Sequence, residues 1–539
     1  MKLIRNASPM LLLAIVAWLA AVAVQPGELG SIDTKRRLQT THSFWTSEPA
    51  VAPGDYPKFG LVGRNNEIYP WYGIGQVLAM LPSDVVGSTL ASKIARPADY
   101  DEFREVFITY TISPLLCVGT VLLAFRFLML LDFSVNQAVA GALALLFGTT
   151  FLHYAQNMME NNLMMLLTLG GFCWQYEWLR TGRQRALLFG SLALSANLLV
   201  RLTTGLNIIA TALFITLCII ARNRTEAFAM LKRYAAIVIP CFLLFVAADR
   251  AYHFYRFGEC CNTYIDIYAQ QTKLLDPSLP ANFPYTTPFW TGFWGPLVTL
   301  EKSMFLYDPL LILLAIVTLI AWKRFGAEMR AYLVSTALML LAYIAFHARF
   351  DFWSGGAAWG DRYLSIPVQL LAFMAVPLLL RNGAEMGLVL RKTGAAIVAA
   401  AVGVQLLSVT VWHPLEIEQM QSMGKPVFII GLRLLNTVAI VLGKMDAWHL
   451  TNMYTKEYGT FHAKTLYFYP FIISQRHHMP TWFSAAVVAT WIALVAVLLW
   501  VLYQIRKQAR LGWKMPAASR LTLRVNSKLS TFEHSQEQA

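Results

Sequence analysis

Residues 331–346 read AYLVSTALMLLAYIAF, residues 350–365 read FDFWSGGAAWGDRYLS, and residues 366–380 read IPVQLLAFMAVPLLL. The two outer stretches are apolar runs typical of membrane helices. The stretch between them is polar, aromatic and rich in glycine, and it contains Asp351, Asp361 and Arg362. This arrangement predicts two membrane helices joined by a hairpin that carries function at one membrane surface.

Composition extends this prediction to the whole chain. Its 539 residues are 57% apolar and only 14% charged, against about 25% charged in soluble domains. Apolar runs recur from end to end, so the predicted fold class is an all-α polytopic membrane protein. The formal charge of +14 is explained by basic loops on one side of the membrane and does not indicate nucleic acid. The six cysteines form no C-x-x-C pattern, and Walker A, zinc-ligand and Gly-x-Ser-x-Gly patterns are absent.

The orientation follows from short basic loops such as LRTGRQR and WKRFGAEMR, which belong to the cytoplasm. With both termini inside, we expect about twelve transmembrane helices, near 9–25, 106–131, 136–152, 161–179, 186–200, 204–221, 233–249, 305–322, 331–346, 363–380, 394–411 and 482–504. The first run also resembles a signal peptide, although a retained helix fits better. Residues 427–443 are predicted to be interfacial or re-entrant, because a crossing there would move the tail outside.

The loops divide the chain. Residues 1–411 form the predicted catalytic module, including a first outer segment at 26–105. Residues 412–481 form a further outer segment, and residues 482–539 hold the last helix and a basic cytoplasmic tail. Long connections are usually functional, so the functional site is expected on the outer face of the membrane.

The first outer segment holds the most informative acid. Asp33 follows the first apolar run by about nine residues and opens a stretch with helical character. One interpretation is an N-cap residue. The other is a carboxylate held at the membrane surface, within reach of a lipid-linked substrate.

The motifs of the chain resemble those of the GT-C superfamily of membrane glycosyltransferases, which includes relatives of protein O-mannosyltransferases and aminoarabinose transferases. The resemblance covers about residues 20–380. It is carried by Asp33, Arg37 and Leu38, followed by GRNNEIYPWYGIGQVLAMLP, ANLLVRLTTG, RFGECCNTYIDIY, GFWGPLVTLEKSMFLYDPLL and FWSGGAAWGDRYLSIP. The chain departs from the family where Leu202 and Asp361 replace prolines, and where a double acidic motif is reduced to Asp33.

This resemblance implies transfer of a sugar from a polyprenyl-phosphate-linked donor to a glycan, lipid or protein acceptor, at an active site on the outer face of a bacterial inner membrane. A phosphate is a good leaving group, so one carboxylate base, Asp33, can suffice. Attack by the acceptor from the face opposite the phosphate would invert the anomeric centre. Cations would stabilise the departing phosphate; the candidates are Arg201, Lys302 and Arg362. The simpler interpretations are a snorkelling helix end for Arg201, an interfacial lysine for Lys302, and an ion pair with Asp361 or Asp351 for Arg362.

The remaining candidates are substrate-binding residues, namely Arg37, Glu160, Tyr72, Gln76, Trp353, Trp359 and Tyr363. The glycine pair at 355–356 allows a tight hairpin, and its aromatic rings suit a sugar ring or the headgroup belt. Glu160 is either an acceptor-orienting acid, a cation partner or a solvated helix end. No metal ligand is assigned and no cofactor is required, although one acid beside a phosphate could hold Mg²⁺ or Mn²⁺.

Two other functions stay open. A twelve-helix secondary transporter lacks support from an inverted repeat or from matched broken helices. A non-catalytic envelope scaffold of the same fold would tolerate Asn at Asp33, whereas an enzyme would not.

Overall fold

A computed structural model describes residues 8–56, 59–356, 358–383, 385–452 and 462–513. Helix dominates these residues, which confirms the predicted all-α class. The strands in this part of the chain form one small antiparallel pair, β1 (Gly60–Val62) and β2 (Ile68–Pro70). The tail beyond residue 513 and the first seven residues lie outside the described ranges.

The α-helices of the described residues are numbered here in chain order. They are α1 (Pro9–Val24), α2 (Ile32–Ser43), α3 (Ile74–Ile94), α4 (Tyr100–Leu130), α5 (Val135–Gly148), α6 (Phe151–Asn157), α7 (Asn161–Thr181), α8 (Gln184–Val200), α9 (Gly205–Arg222), α10 (Ala227–Phe257), α11 (Tyr264–Leu275), α12 (Phe289–Val298), α13 (Met304–Tyr307), α14 (Leu310–Ala321), α15 (Ala327–His347), α16 (Ser365–Ala372), α17 (Ala375–Asn382), α18 (Gly387–Ser408), α19 (His413–Ser422), α20 (Ile429–Val441), α21 (Tyr469–Arg476) and α22 (Thr481–Leu511).

The predicted count of twelve membrane helices is not confirmed. Among the described residues, eight helical segments are long and apolar enough to cross a membrane, or nine if the bent pair α5 and α6 is one span. They are Ile74–Ile94, Pro97–Leu130, Leu202–Arg222, Ala227–Phe257, Ala327–His347, Ser365–Asn382, Gly387–Ser408 and Thr481–Leu511. The chain therefore has the character of a multi-pass membrane protein, and the side on which each loop lies stays a prediction.

Two differences explain the count. Helix α3 lies within the predicted outer segment 26–105, yet it is 21 residues long and apolar enough to span. Five predicted spans are not among the eight. Helices α1, α8 and α14 have only 16, 17 and 12 residues, α5 meets α6 at an angle of 53°, and α7 has 21 residues but is not among the segments apolar enough to span.

Helix α20 occupies most of residues 427–443, the segment predicted to be interfacial or re-entrant. It has 13 residues, or about 20 Å at 1.5 Å per residue, which is shorter than the roughly 30 Å hydrocarbon core. Arg433 on this helix is fully buried and pairs with Glu416 of α19 at 2.5 Å. Its interfacial or re-entrant placement remains a prediction.

The main core is built largely by α1, α4 to α9 and α14 to α17, and α7 packs most extensively against its neighbour α8. At one end of this bundle the chain leaves regular helix at three places: between α6 and α7, between α8 and α9, and in the hairpin before α16. Helices α2 and α3 pack beside these breaks, and charged side chains from α2 and from the three breaks meet there.

Candidate functional site

Asp33 lies inside the first turn of α2. Ser31 is the N-cap residue, so the interpretation of Asp33 as the cap is wrong. Instead, the Tyr72 hydroxyl donates to Asp33 Oδ1 at 2.9 Å, and Arg362 Nη1 donates to Oδ2 at 2.6 Å. With 17% of its side chain exposed, this carboxylate joins α2 to the glycine-rich hairpin and remains accessible.

The charges around Asp33 decide its protonation state. Burial raises the pKa of Asp33, but the guanidinium groups of Arg362 and Arg37 outweigh burial, and the pKa lies below its ordinary value. The carboxylate is therefore ionised at neutral pH and able to accept a proton. Movement of Arg362 to another anion would raise this pKa and make Asp33 a stronger base.

A second carboxylate, Glu160, lies directly before α7. It is not a solvated helix end, since only 1% of its side chain is exposed. Arg37 Nη1 lies 3.0 Å from Oε2, and Arg201 pairs with Oε1. Burial raises the pKa of Glu160, but Arg37, Arg201 and Arg362 together lower it to about 2. Glu160 therefore stays charged and fixes two arginines beside Asp33.

Arg201 and Arg362, the two arginines predicted to bind phosphate, are both paired with carboxylates of the cluster. Arg201 has 18% of its side chain exposed and is paired with Glu160, so it is not a snorkelling residue. The partner of Arg362 is Asp33 rather than Asp361 or Asp351. The hairpin that carries Arg362 is tied to α7 because Asn161 Nδ2 donates to the Arg362 carbonyl at 2.8 Å.

Tyr363 and Tyr72 form the aromatic walls of this cluster. The Tyr363 ring stacks on His347, with centroids 4.4 Å apart and planes at 6°. The guanidinium of Arg201 lies 5.1 Å from the Tyr363 ring, and that of Arg37 lies 4.2 Å from the Tyr72 ring. These contacts hold the arginines on flat faces, so both tyrosines shape the cation cluster directly.

Three other predicted substrate residues are turned into the protein. Gln76 is buried and donates to the Met158 carbonyl at 2.9 Å. Trp359 is fully buried, with its ring 5.1 Å from Tyr307. Trp353 packs so closely on Gly295 that a Cβ there would lie 2.1 Å from the ring. The substrate-binding roles of these three residues remain predictions, because in this conformation their side chains contact other parts of the protein.

Lys302 also lies apart from the arginines. Only 1% of the residue is exposed, so the interpretation as a plain interfacial lysine is wrong. Its ammonium group donates to backbone carbonyls of the hairpin and not to a side chain. Burial lowers the pKa of Lys302 to about 8, while Glu301 and Asp361 act to raise it. Its phosphate-binding role stays a prediction.

The sequence interpretation missed Asn161 and His347, which hold the hairpin and the Tyr363 ring. Asn161 directly follows Glu160 in the sequence, and its position beside a predicted site residue could have identified it. His347 ends a long apolar helix, where the sequence does not show which way its ring faces. Glu28 belongs to a separate buried cluster, in which His462 Nε2 lies 2.8 Å from Oε1.

An apolar groove lies next to the cation cluster along the chain. Its volume is about 490 Å³, and it begins at Leu202, the residue after Arg201. The residues that line it come from the start of α9, the middle of α10 and the end of α15, namely Leu202, Thr203, Gly205, Leu206, Ile208, Ile209, Val238, Ile239, Phe242 and Phe346. Two of these residues are chain neighbours of the cluster, since Leu202 follows Arg201 and Phe346 precedes His347.

Asp361 supplies a pH-dependent prediction. Burial raises its pKa to about 7 against the lowering effect of Lys302 and of backbone hydrogen bonds. The folded state thus keeps a proton that the unfolded state loses near pH 4. As the pH rises from about 4 to 7, the free energy of unfolding should therefore decrease by up to about 1.4 kcal/mol per pH unit. We expect Asp361→Asn, which keeps the oxygen acceptor for the Tyr363 amide, to flatten this slope in thermal unfolding curves. An unchanged slope would contradict the prediction.

Among the described residues no group of three or more His, Cys, Asp and Glu side chains is placed to hold a metal ion. The two acids of the cluster face guanidinium groups instead. A divalent cation carried by the substrate phosphate stays a prediction.

Comparisons with known proteins found similarity to solved structures but not to known sequences. No family model matches the chain, and no curated protein matches its sequence. A crystal structure of ArnT from Cupriavidus metallidurans bound to undecaprenyl phosphate is similar at 14% identity, covers 94% of this chain and 75% of that chain, and gives a TM-score of 0.37. A likeness at this level does not establish a shared fold, and the resemblance to GT-C glycosyltransferases stays a prediction.

Proposed function

We propose that this protein is a membrane glycosyltransferase that moves a sugar from a polyprenyl-phosphate donor to an envelope acceptor. The observation that carries the proposal is the cluster in which Asp33 pairs with Arg362 and Glu160 pairs with Arg201. An apolar groove lies next to it along the chain, because Leu202, which lines the groove, directly follows Arg201. A donor with an anionic head and an isoprenoid tail needs both surfaces side by side.

In the proposed reaction, Arg201 and Arg362 bind the donor phosphate and stabilise the charge that grows on it as the bond to the sugar breaks. Arg362 then shares its hydrogen bonds between the phosphate and Asp33. Because this weakens its hold on the carboxylate, the pKa of Asp33 rises when donor binds. The donor would thus activate the base that it needs.

Asp33 then accepts the proton of an acceptor hydroxyl as the oxygen attacks the anomeric carbon from the face opposite the phosphate. The Tyr72 hydroxyl, which donates to Asp33 Oδ1, orients the carboxylate during this step. Arg37 and Glu160 hold Tyr72 and Arg201 in place. The sugar and the acceptor are not specified by these contacts.

A second candidate is a non-catalytic scaffold of the envelope. It is favoured by the observation that Asp33 and Glu160 both have arginine partners already, as in a purely structural network. The two proposals differ in their expectation for variants of Asp33 and of the arginines.

Arg201→Ala and Arg362→Ala test the donor site. Each removes a charge-assisted contact worth roughly 1.5–3 kcal/mol, so each should weaken donor binding about tenfold or more. The purified protein in lipid nanodiscs would be titrated with polyprenyl phosphate, and release of polyprenyl phosphate from a sugar-linked donor would give the turnover.

The matched control is Arg64→Ala. Arg64 is exposed and its guanidinium lies 5.4 Å from the Phe254 ring, so its removal should leave donor binding unchanged. If both site variants bound the lipid as tightly as the parent while remaining monodisperse, the arginines would not be the phosphate site.

A further inference from the structure

The ammonium group of Lys302 lies inside the hairpin rather than beside the predicted phosphate. Nζ donates to the carbonyl oxygens of Gly356 at 2.7 Å, Ala358 at 2.9 Å and Gly360 at 3.1 Å. A lysine has three N–H donors, so this conformation uses all of them. The phosphate-binding role predicted for Lys302 would require breaking at least one of these bonds.

The hairpin has a shape that needs such a cation. Gly356 and Gly360 adopt φ values of +64° and +65°, and carbonyls of three alternating residues point at one buried spot. Buried carbonyl groups without partners are costly. The charged or titratable groups that act on Lys302 are Glu301, Asp361, Arg362 and His413, and within the described residues none forms an ion pair with it.

The hairpin carbonyls that Lys302 binds directly precede the site residues Arg362 and Tyr363 in the chain. Gly360 is followed by Asp361, whose Oδ1 accepts from the Tyr363 amide at 2.9 Å. Arg362 lies between them and pairs with Asp33. A shift of the Gly356–Gly360 carbonyls therefore displaces the backbone from which Arg362 reaches the base.

We infer that Lys302 is a positioning residue: an internal ammonium ion that holds three hairpin carbonyls and so aims Arg362 at Asp33. The effect on sugar transfer rests on the proposed function. The clamp itself does not, and it can be measured without any substrate.

Chemical rescue tests the clamp. Lys302→Ala removes a propylammonium-sized group and leaves the buried carbonyls of Ala358 and Gly360 without their donor, while the Gly356 carbonyl keeps the Ala358 amide at 2.9 Å. We expect amide hydrogen exchange in residues 358–364 to become about tenfold faster or more, and added propylammonium to restore protection. Tetramethylammonium, which has the charge but no N–H, should not restore it.

The matched control is Lys273→Ala. Lys273 is a lysine at the surface that donates to a single backbone carbonyl, that of Ala281 at 2.5 Å, so its loss should leave exchange in the hairpin unchanged. Hairpin exchange that is equally unchanged in Lys302→Ala, together with lost binding of polyprenyl phosphate, would overturn the inference and make Lys302 a phosphate ligand.

A measurement on the unaltered protein covers the case in which Lys302→Ala does not fold. Lys302 should resist acylation by a lysine-specific reagent with and without polyprenyl phosphate, whereas Lys273 reacts in both. Reaction of Lys302 without the lipid and protection by it would contradict the clamp. Since exchange and acylation report only on the hairpin, their outcome is independent of whether the protein transfers a sugar.

Discussion

Asp33→Asn should lower turnover of a polyprenyl-phosphate sugar by roughly 10²–10⁴, the usual contribution of a general base. Asparagine keeps the size of the side chain and an oxygen that accepts the Tyr72 hydroxyl, but it cannot accept a proton at neutral pH. It also frees Arg362 from its ion pair. Donor binding should therefore be retained or become tighter while turnover falls, a combination that simple misfolding would not produce.

The matched control for this variant is Asp55→Asn. Asp55 lies in the same outer segment, has 9% of its side chain exposed and is paired with Arg36. Its replacement removes a comparable aspartate–arginine pair without touching the proposed base. Turnover by Asp33→Asn within a few-fold of the parent, with Asp55→Asn behaving alike, would sink the catalytic assignment and favour the scaffold.

The sequence predicted where most helices lie, because long apolar runs report burial or lipid directly. It did not predict where the helices break. Asp308 precedes α14, and its Oδ1 accepts from the backbone amide of Thr150 at 2.7 Å, next to the bend between α5 and α6. This contact joins residues 158 positions apart. Local hydropathy contains no trace of such a contact, so the broken helices were counted as spans.

For the site as well, the sequence identified residues but not their contacts. Asp33, Arg362, Arg201 and Glu160 were each predicted as functional from motifs, and the structure brings their side chains together. Their pairing was not predicted, since residue type does not reveal which carboxylate faces which arginine. The sequence also did not predict that Trp359 is buried, because an aromatic residue in a polar hairpin can face a ligand or the core with the same sequence pattern.

Glu160→Gln should destabilise the protein by about 3–5 kcal/mol, the cost of removing one partner from a buried ion pair. The amide keeps the shape of the side chain but leaves Arg37 and Arg201 beside a neutral group. The pKa of Glu160 is about 2, below its ordinary value, so the stabilising charge is present above about pH 4.5 and lost only as pH falls through about 2. At neutral pH the variant should show the full loss in denaturant unfolding.

The control for this prediction is Glu385→Gln, which breaks the exposed pair with Arg324, whose partners are 64% and 51% exposed. Exposed pairs contribute about 0–1 kcal/mol, so this variant should unfold like the parent. The folded fraction of Glu160→Gln should lose less turnover than Asp33→Asn, because each oxygen of Glu160 faces a guanidinium and not the solvent. If instead Glu160→Gln were inactive while fully stable, and Asp33→Asn turned over normally, the base would be Glu160 and α2 would serve only as its support.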